Sequence, residues 1–117
     1  MNENPDGTYS VSPGEKITVT VTRTKPPCMA IFSKLNGAIW DPEVDPNPQT
    51  RVRTFKSPQK VGAQCDFVFL LDFVGDGSGT DQYIVVVKGE TGDASADTVE
   101  HSEVPVSLPY SFTVAQP

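Results

Sequence analysis

Three aspartates in a glycine-rich stretch are the residues of this sequence best suited to hold a metal ion. They lie in "DFVGDGSGTDQYIVVV", residues 72–87, where Asp72, Asp76 and Asp81 supply three carboxylates. Oxygen ligands on a flexible loop suit Ca²⁺. The segment "DGSGTDQYI" also falls one residue short of the glycine-rich nonapeptide that binds calcium in parallel β-helices. One interpretation is therefore a calcium site formed by these aspartates.

The same stretch also reads as a turn between two strands. Its glycines permit positive φ, and an aspartate can cap the turn. The β-helix nonapeptide works as stacked repeats that share each ion, whereas this chain holds one copy, and no Glu follows at the spacing of an EF-hand. We therefore expect no cofactor, with calcium as the alternative.

Residues for acid–base or nucleophilic catalysis are scarce. The sole histidine, His101, lies in the acidic segment "DTVEHSEVP", and no G-x-S-x-G elbow, H-E-x-x-H pair or phosphate-binding glycine loop occurs. Asp41 and Asp45 could in principle flank a glycosidic bond. However, both precede or lie near prolines, where Asp mostly initiates turns. We expect that the chain is not an enzyme.

The single tryptophan is the one candidate for ligand binding. Trp40 lies directly before the proline-rich segment "DPEVDPNPQ". An exposed aromatic ring can stack on a sugar or anchor a protein partner. The alternative is that Trp40 belongs to the core, as a lone Trp in a small β-domain often does.

The two cysteines, Cys28 and Cys65, suggest a disulfide. Neither belongs to a C-x-x-C pair, and a Cys/His zinc site would need carboxylate ligands because only one histidine is present. In an exported protein two thiols are the minimum for one bridge. In a cytosolic protein the same pair would be two buried, inert thiols.

Size and charge limit the classes of partner. A chain of 117 residues suits one domain, which we expect over 1–117, either cut from a longer exported protein or forming an entire cytosolic one. Residues 1–60 carry eight Lys/Arg against six Asp/Glu, while residues 61–117 carry one against nine, for a net charge of −6. This acidity argues against nucleic-acid binding. No apolar run approaches the roughly 18 residues of a membrane span.

Alternating apolar and polar residues predict β-strands along most of the chain. "EKITVTVTR" places Ile17, Val19 and Val21 on one face, and "QCDFVFLLDF" and "PYSFTV" alternate in the same way. "YIVVVKG" is apolar on both faces, which suits a central strand. Between "FSKL" and "AIW", Asn36 and Gly37 predict a hairpin, because both tolerate the positive φ of a type I′ turn.

The number and spacing of these strands predict a fold class. Seven or eight short strands separated by turn residues are typical of an all-β, antiparallel β-sandwich, immunoglobulin-like or jelly-roll-like. "DPEVDPNPQ" and "GETGDASADTVEHSEVP" are expected to be long loops, the first because its prolines cannot donate to a central ladder.

Several segments carry a resemblance to known families. "YSVSPGEKITVTVTR", "FKSPQKVGAQCDFVFLLDF", "DQYIVVVKGETGD" and the closing "YSFTV" resemble strands of bacterial immunoglobulin-like and pre-peptidase C-terminal-like domains. The resemblance implies an accessory or adhesion module of an exported bacterial protein. We therefore expect a non-catalytic extracytoplasmic module (secreted, periplasmic or at the cell surface) with a structural, adhesion or protein-binding role. Its partners would be proteins or other domains of a parent chain. The alternative is a calcium-stabilised carbohydrate-binding module of a secreted enzyme.

Overall fold

Strands make up the regular structure of the described residues, as the alternating pattern predicts. The computed structural model describes residues 1–23, 30–40, 50–71, 82–90, 95–100 and 106–115. No helix occurs among them, and none of their segments could span a membrane as a helix. The strands are β1 (Asn2–Glu3), β2 (Tyr9–Val11), β3 (Lys16–Arg23), β4 (Ala30–Leu35), β5 (Ala38–Ile39), β6 (Thr50–Lys56), β7 (Gln64–Leu71), β8 (Gln82–Lys88), β9 (Ser95–Glu100) and β10 (Val106–Val114).

These strands form two sheets. One has the order β1-β2-β10-β7-β4-β5, and the other has the order β6-β3-β8-β9. Strand β8 lies between β3 and β9, which confirms the central position predicted for "YIVVVKG". Among the described strands, β6 is at one edge of the four-stranded sheet.

One pair of strands departs from the antiparallel prediction. Strand β10 pairs with β2 in parallel, with Phe112 opposite Tyr9 and Val114 opposite Val11. Parallel neighbours need a long connection, and here nearly the whole chain lies between the two strands. The other strand pairs of the described residues are antiparallel.

The strand count is also higher than expected, with ten strands in the described residues instead of seven or eight. Two of them, β1 and β5, have only two residues each. A third, β9, lies within the acidic segment that we expected to be a loop, so that expectation was wrong for Ser95–Glu100. Its backbone pairs with β8 along the whole strand. A strand at the edge of a sheet can have polar side chains and still form all of its backbone hydrogen bonds to its neighbour, so a polar composition does not exclude a strand there.

The core lies between the two sheets. Ile17, Val19 and Val21 of β3 are fully buried, which confirms the face predicted for that strand. From the other sheet come Cys65, Phe67 and Phe69 of β7 with Tyr9, Phe112 and Val114, all at most 1% exposed. Phe55 of β6 stacks on Phe67 with ring centroids 5.1 Å apart, so aromatic packing joins the sheets directly.

The predicted hairpin is present and positions the tryptophan. Asn36 and Gly37 both have positive φ, at 51° and 83°, and they connect β4 to β5. Leu35 pairs with Ala38 across the turn. The hairpin thus confirms the Asn-Gly signal and places Trp40 immediately after β5.

Candidate functional site

The predicted calcium site cannot be compared with the fold. Asp72, Asp76 and Asp81 lie outside the described residues, as do His101 and the Asp41–Asp45 pair. Within the described ranges, no group of three or more His, Cys, Asp or Glu side chains is placed to hold a metal ion. The calcium hypothesis therefore stays a prediction.

The disulfide also stays a prediction, because Cys28 lies outside the described residues. Its expected partner, Cys65, is 1% exposed. Burial raises the pKa of the Cys65 thiol, the Asn36 side chain opposes this through a hydrogen bond, and the nearby charge of Asp66 adds to the rise. When Cys65 is reduced, burial therefore disfavours its thiolate form.

Trp40 is held firmly by both its backbone and its ring. Its N–H donates to the carbonyl oxygen of Ser33 at 2.8 Å, and the Ser33 hydroxyl donates back to the Trp40 carbonyl. The indole Nε1 donates to the carbonyl oxygen of Thr54 at 3.2 Å. Because Ser33 belongs to β4 and Thr54 to the edge strand β6, the tryptophan ties the two sheets together.

Other side chains also cover the free edge of β6. The Arg53 Nη1 donates to the Val52 carbonyl at 2.7 Å, and the Arg51 Nη1 donates to the Thr50 carbonyl at 3.4 Å. Alternate residues of an antiparallel strand direct their backbone groups to the same side. The carbonyls of Thr50, Val52 and Thr54 therefore form one row, and side-chain donors occupy it, which discourages another strand from pairing there.

Arg53 also supports Trp40 from within the molecule. Its side chain is buried, its Nε donates to the Ser33 hydroxyl at 3.1 Å, and its guanidinium lies 5.7 Å from the centre of the Phe69 ring. A cation at this distance from an aromatic face is attracted to it. Arg53 thereby fixes Ser33, the residue that holds the tryptophan backbone.

Although Trp40 packs on the core, part of it faces an open cleft. The cleft has a volume of about 480 Å³, within the usual range of ligand pockets. The described residues that line it are Lys16, Leu35, Trp40, Thr54, Phe55 and Lys56, referred to here as the Trp40 cleft. Leu35, Trp40 and Phe55 make its floor apolar. The core position and the ligand-binding position considered for Trp40 are therefore compatible, because the same ring packs on the core and lines the cleft.

Two lysines stand at the rim of the Trp40 cleft. Lys16 and Lys56 are directly opposite each other in the β3–β6 ladder, and both side chains are exposed. Like charges at opposing positions of a sheet destabilise it. Neither side chain forms an ion pair within the described part of the chain. Sequence reasoning missed this pair because the two residues are forty positions apart and only strand register brings them together.

A buried carboxylate lies just behind this rim. Glu15 is 4% exposed, and its Oε1 accepts the Ser12 N–H at 2.9 Å. Its Oε2 accepts the Glu90 N–H at 2.9 Å and the Met1 amino group at 3.3 Å. The backbone N–H of Glu15 donates to the Ser57 hydroxyl at 2.9 Å. We call these contacts the Glu15 network.

A second, smaller groove lies on the outer face of the six-stranded sheet, with a volume of about 290 Å³. Asp66 lines it, and its carboxylate already accepts the Ser111 hydroxyl at 2.8 Å and the Gln64 amide at 3.3 Å. Because its central charged group is occupied by neighbours, this groove is a weaker candidate than the Trp40 cleft.

Comparison with known proteins adds no relative to this description. No protein-family model matches the chain, and no curated protein or solved structure matches it either. The functional argument therefore depends on the geometry of the Trp40 cleft.

Proposed function

We propose that this chain is a non-catalytic β-sandwich module, of immunoglobulin-like or jelly-roll type, that binds a protein partner outside the cytoplasm. The observation that carries the proposal is the Trp40 cleft, an open apolar depression beside an immobilised tryptophan. Structural spacing and adhesion are roles of the same class, since both require a stable surface rather than a reaction centre.

The rigidity of Trp40 supports a binding role. A side chain that is already ordered loses little conformational entropy when a partner docks on it. Trp is also the residue type most enriched among the energetic hot spots of protein interfaces. Here the backbone is held by Ser33 and the indole by Thr54, so the ring is presented in one orientation.

The chemistry of the lining supports binding rather than catalysis. The described residues around the cleft are two lysines, one threonine and three apolar side chains. They include no carboxylate, imidazole or thiol, so a paired general acid and base is not formed by them. A partner that inserts an apolar side chain and contacts the rim would use all of these groups.

A carbohydrate-binding role is the alternative, and the observation that favours it is the same exposed part of Trp40. Aromatic rings can stack on the apolar face of a sugar, and a cleft beside such a ring suits a short saccharide. In this alternative, calcium at Asp72, Asp76 and Asp81 would stabilise the module. An unchanged melting temperature in excess Ca²⁺ and in EDTA would remove the calcium part, because a ligand of the native state must raise it.

Fluorescence tests the two roles, because Trp40 is the sole tryptophan and lies in the cleft. The protein is titrated with short leucine-containing peptides and with a panel of soluble polysaccharides. We expect the peptides to shift the emission of Trp40, and the shift to reach a plateau as the cleft saturates. A response to polysaccharide alone would favour the alternative, and no response to either would overturn a binding role for the cleft.

The extracytoplasmic location is tested through the cysteines. If Cys28 and Cys65 form a bridge in the exported protein, non-reduced and denatured protein should show no free thiol. Two free thiols under those conditions would remove the main argument for export.

A further inference from the structure

We infer that the Trp40 cleft selects an acidic peptide segment, one that places Asp or Glu next to an apolar anchor. The inference deepens the proposed function and rests on it, since it names the kind of partner that the same cleft accepts. It is carried by the position of Lys16 and Lys56 relative to the apolar floor of the cleft.

The two ammonium groups share one side of the cleft. Lys16 begins β3 and Lys56 ends β6, and their opposition in the ladder puts both side chains on the outer face. Opposing residues of an antiparallel pair have Cβ atoms roughly 5 Å apart. A carboxylate from a partner could contact both lysines at once and would relieve their mutual repulsion.

Within the described part of the chain, the carboxylates of Glu15 and Glu90 form no ion pair with these lysines. The Glu90 Oε1 accepts the backbone N–H of Lys16 at 2.8 Å, and Glu90 forms no ion pair with the head group of Lys16 or Lys56. Glu15 is adjacent in sequence, but it is buried and bound by the Glu15 network. The buried position of Glu15 and the backbone contact of Glu90 therefore leave the two lysine head groups without an internal carboxylate partner among the described residues.

The apolar floor and the charged rim together define the ligand. A purely anionic molecule would use the lysines but leave Leu35, Trp40 and Phe55 exposed. A purely apolar segment would cover the floor but would leave the repulsion between the two lysine charges uncompensated. A peptide with a leucine anchor flanked by glutamates matches both surfaces, and the net charge of −6 means that this attraction must come from the local pair.

Two synthetic peptides test the inference, acetylated Glu-Glu-Leu-Leu-Glu-Glu and its neutral counterpart Gln-Gln-Leu-Leu-Gln-Gln. Binding is followed by Trp40 fluorescence and by isothermal calorimetry. We expect the acidic peptide to bind about ten-fold more tightly than the neutral one, as two or more exposed ion pairs would produce.

The double variant Lys16→Gln/Lys56→Gln should bind both peptides equally, at the affinity of the neutral peptide. Lys60→Gln is the matched control, since Lys60 is exposed and does not line the cleft; it should keep the ten-fold preference. The melting temperature of each variant is measured first, to show that the variant is folded. If the double variant does not fold, the single variant Lys56→Gln is used in its place.

The possible failures are distinguishable. If neither peptide binds, the proposed function of the cleft is overturned together with its selectivity. If both bind with equal affinity to the unaltered protein, only the acidic preference is overturned. If the preference persists in the lysine variants, the acidic peptide is recognised elsewhere and the assignment to Lys16 and Lys56 is wrong.

Discussion

Glu15 and Lys16 are neighbours in the chain, but they belong to two regions that differ in the environment of their charged groups: the carboxylate of Glu15 is buried and hydrogen-bonded, whereas the ammonium group of Lys16 is exposed. In the Glu15 network the buried carboxylate accepts hydrogen bonds from within the molecule, with backbone N–H groups of Ser12 and Glu90 and the Met1 amino group as donors. In the Trp40 cleft, Lys16 and Lys56 are exposed and opposed. Lys16 begins β3 and Glu15 directly precedes it, so a single step along the chain separates the two environments.

The difference separates a group that holds the fold from groups that are available to a ligand. Burying a charge costs free energy unless hydrogen bonds compensate it, so a saturated buried carboxylate is a structural element. Two opposed surface lysines instead cost stability in the free protein, and a partner can reverse that cost. Changes at Glu15 should therefore act on stability, and changes at the lysines on binding.

The largest effect is expected from Glu15→Gln. The amide retains one acceptor oxygen, so its NH₂ group would face an N–H donor that the carboxylate now satisfies. We expect a loss of about 2–3 kcal/mol in the free energy of unfolding, measured by urea denaturation. Glu3→Gln, at an exposed position, is the control and should change stability by less than about 0.5 kcal/mol. Equal effects of the two substitutions would contradict the structural role of the network.

A smaller loss is expected from Trp40→Phe, which keeps an aromatic ring but removes the indole N–H. The Thr54 carbonyl would lose its donor at the edge of β6, at a cost of about 1 kcal/mol in unfolding free energy. Size-exclusion chromatography at high concentration would show whether the opened edge promotes association. Ile39→Val, beside Trp40 and 70% exposed, should affect neither measurement. An unchanged stability in Trp40→Phe would show that the indole bond does not join the sheets.

A modest alkaline loss of stability is expected from Cys65. Burial raises the pKa of this thiol in the folded protein, so the unfolded chain releases its proton first as the pH rises. The contribution is complete below the pKa of an unfolded cysteine and disappears as the pH passes through the raised pKa of the folded one. Reduced protein and Cys65→Ala are compared by urea denaturation between pH 7 and pH 10. The variant should lose less stability over that range, and parallel curves would contradict the prediction.

The smallest effect on stability is expected from Lys16→Gln/Lys56→Gln. Removing the opposed charges should leave the free energy of unfolding unchanged or raise it by up to about 0.5 kcal/mol. Lys60→Gln is again the control. A loss greater than about 1 kcal/mol in the double variant would show that the lysines stabilise the fold, which would remove the contrast with Glu15.

Much of the strand pattern could be predicted because it depends on neighbours in the chain. Alternation in β3 identified Ile17, Val19 and Val21 as buried, and Asn36-Gly37 identified the hairpin before Trp40. Strand β9 was missed because its polar composition resembles a loop, and its pairing with β8 is a long-range property of the sheet. The parallel β2–β10 pair was missed for the same reason, since it joins the two ends of the chain.

For the candidate site, too, the local features could be predicted from the sequence and the long-range contacts could not. The sequence by itself determined that Trp40 follows a hairpin, that Lys16 starts a strand and that the chain is acidic, because these are properties of composition and local backbone geometry. Only the tertiary structure decided that Lys16 faces Lys56, that the indole reaches Thr54 and that Glu15 is buried. Each of these depends on the register of strands distant in sequence, and that register is set when both sheets close over the shared core.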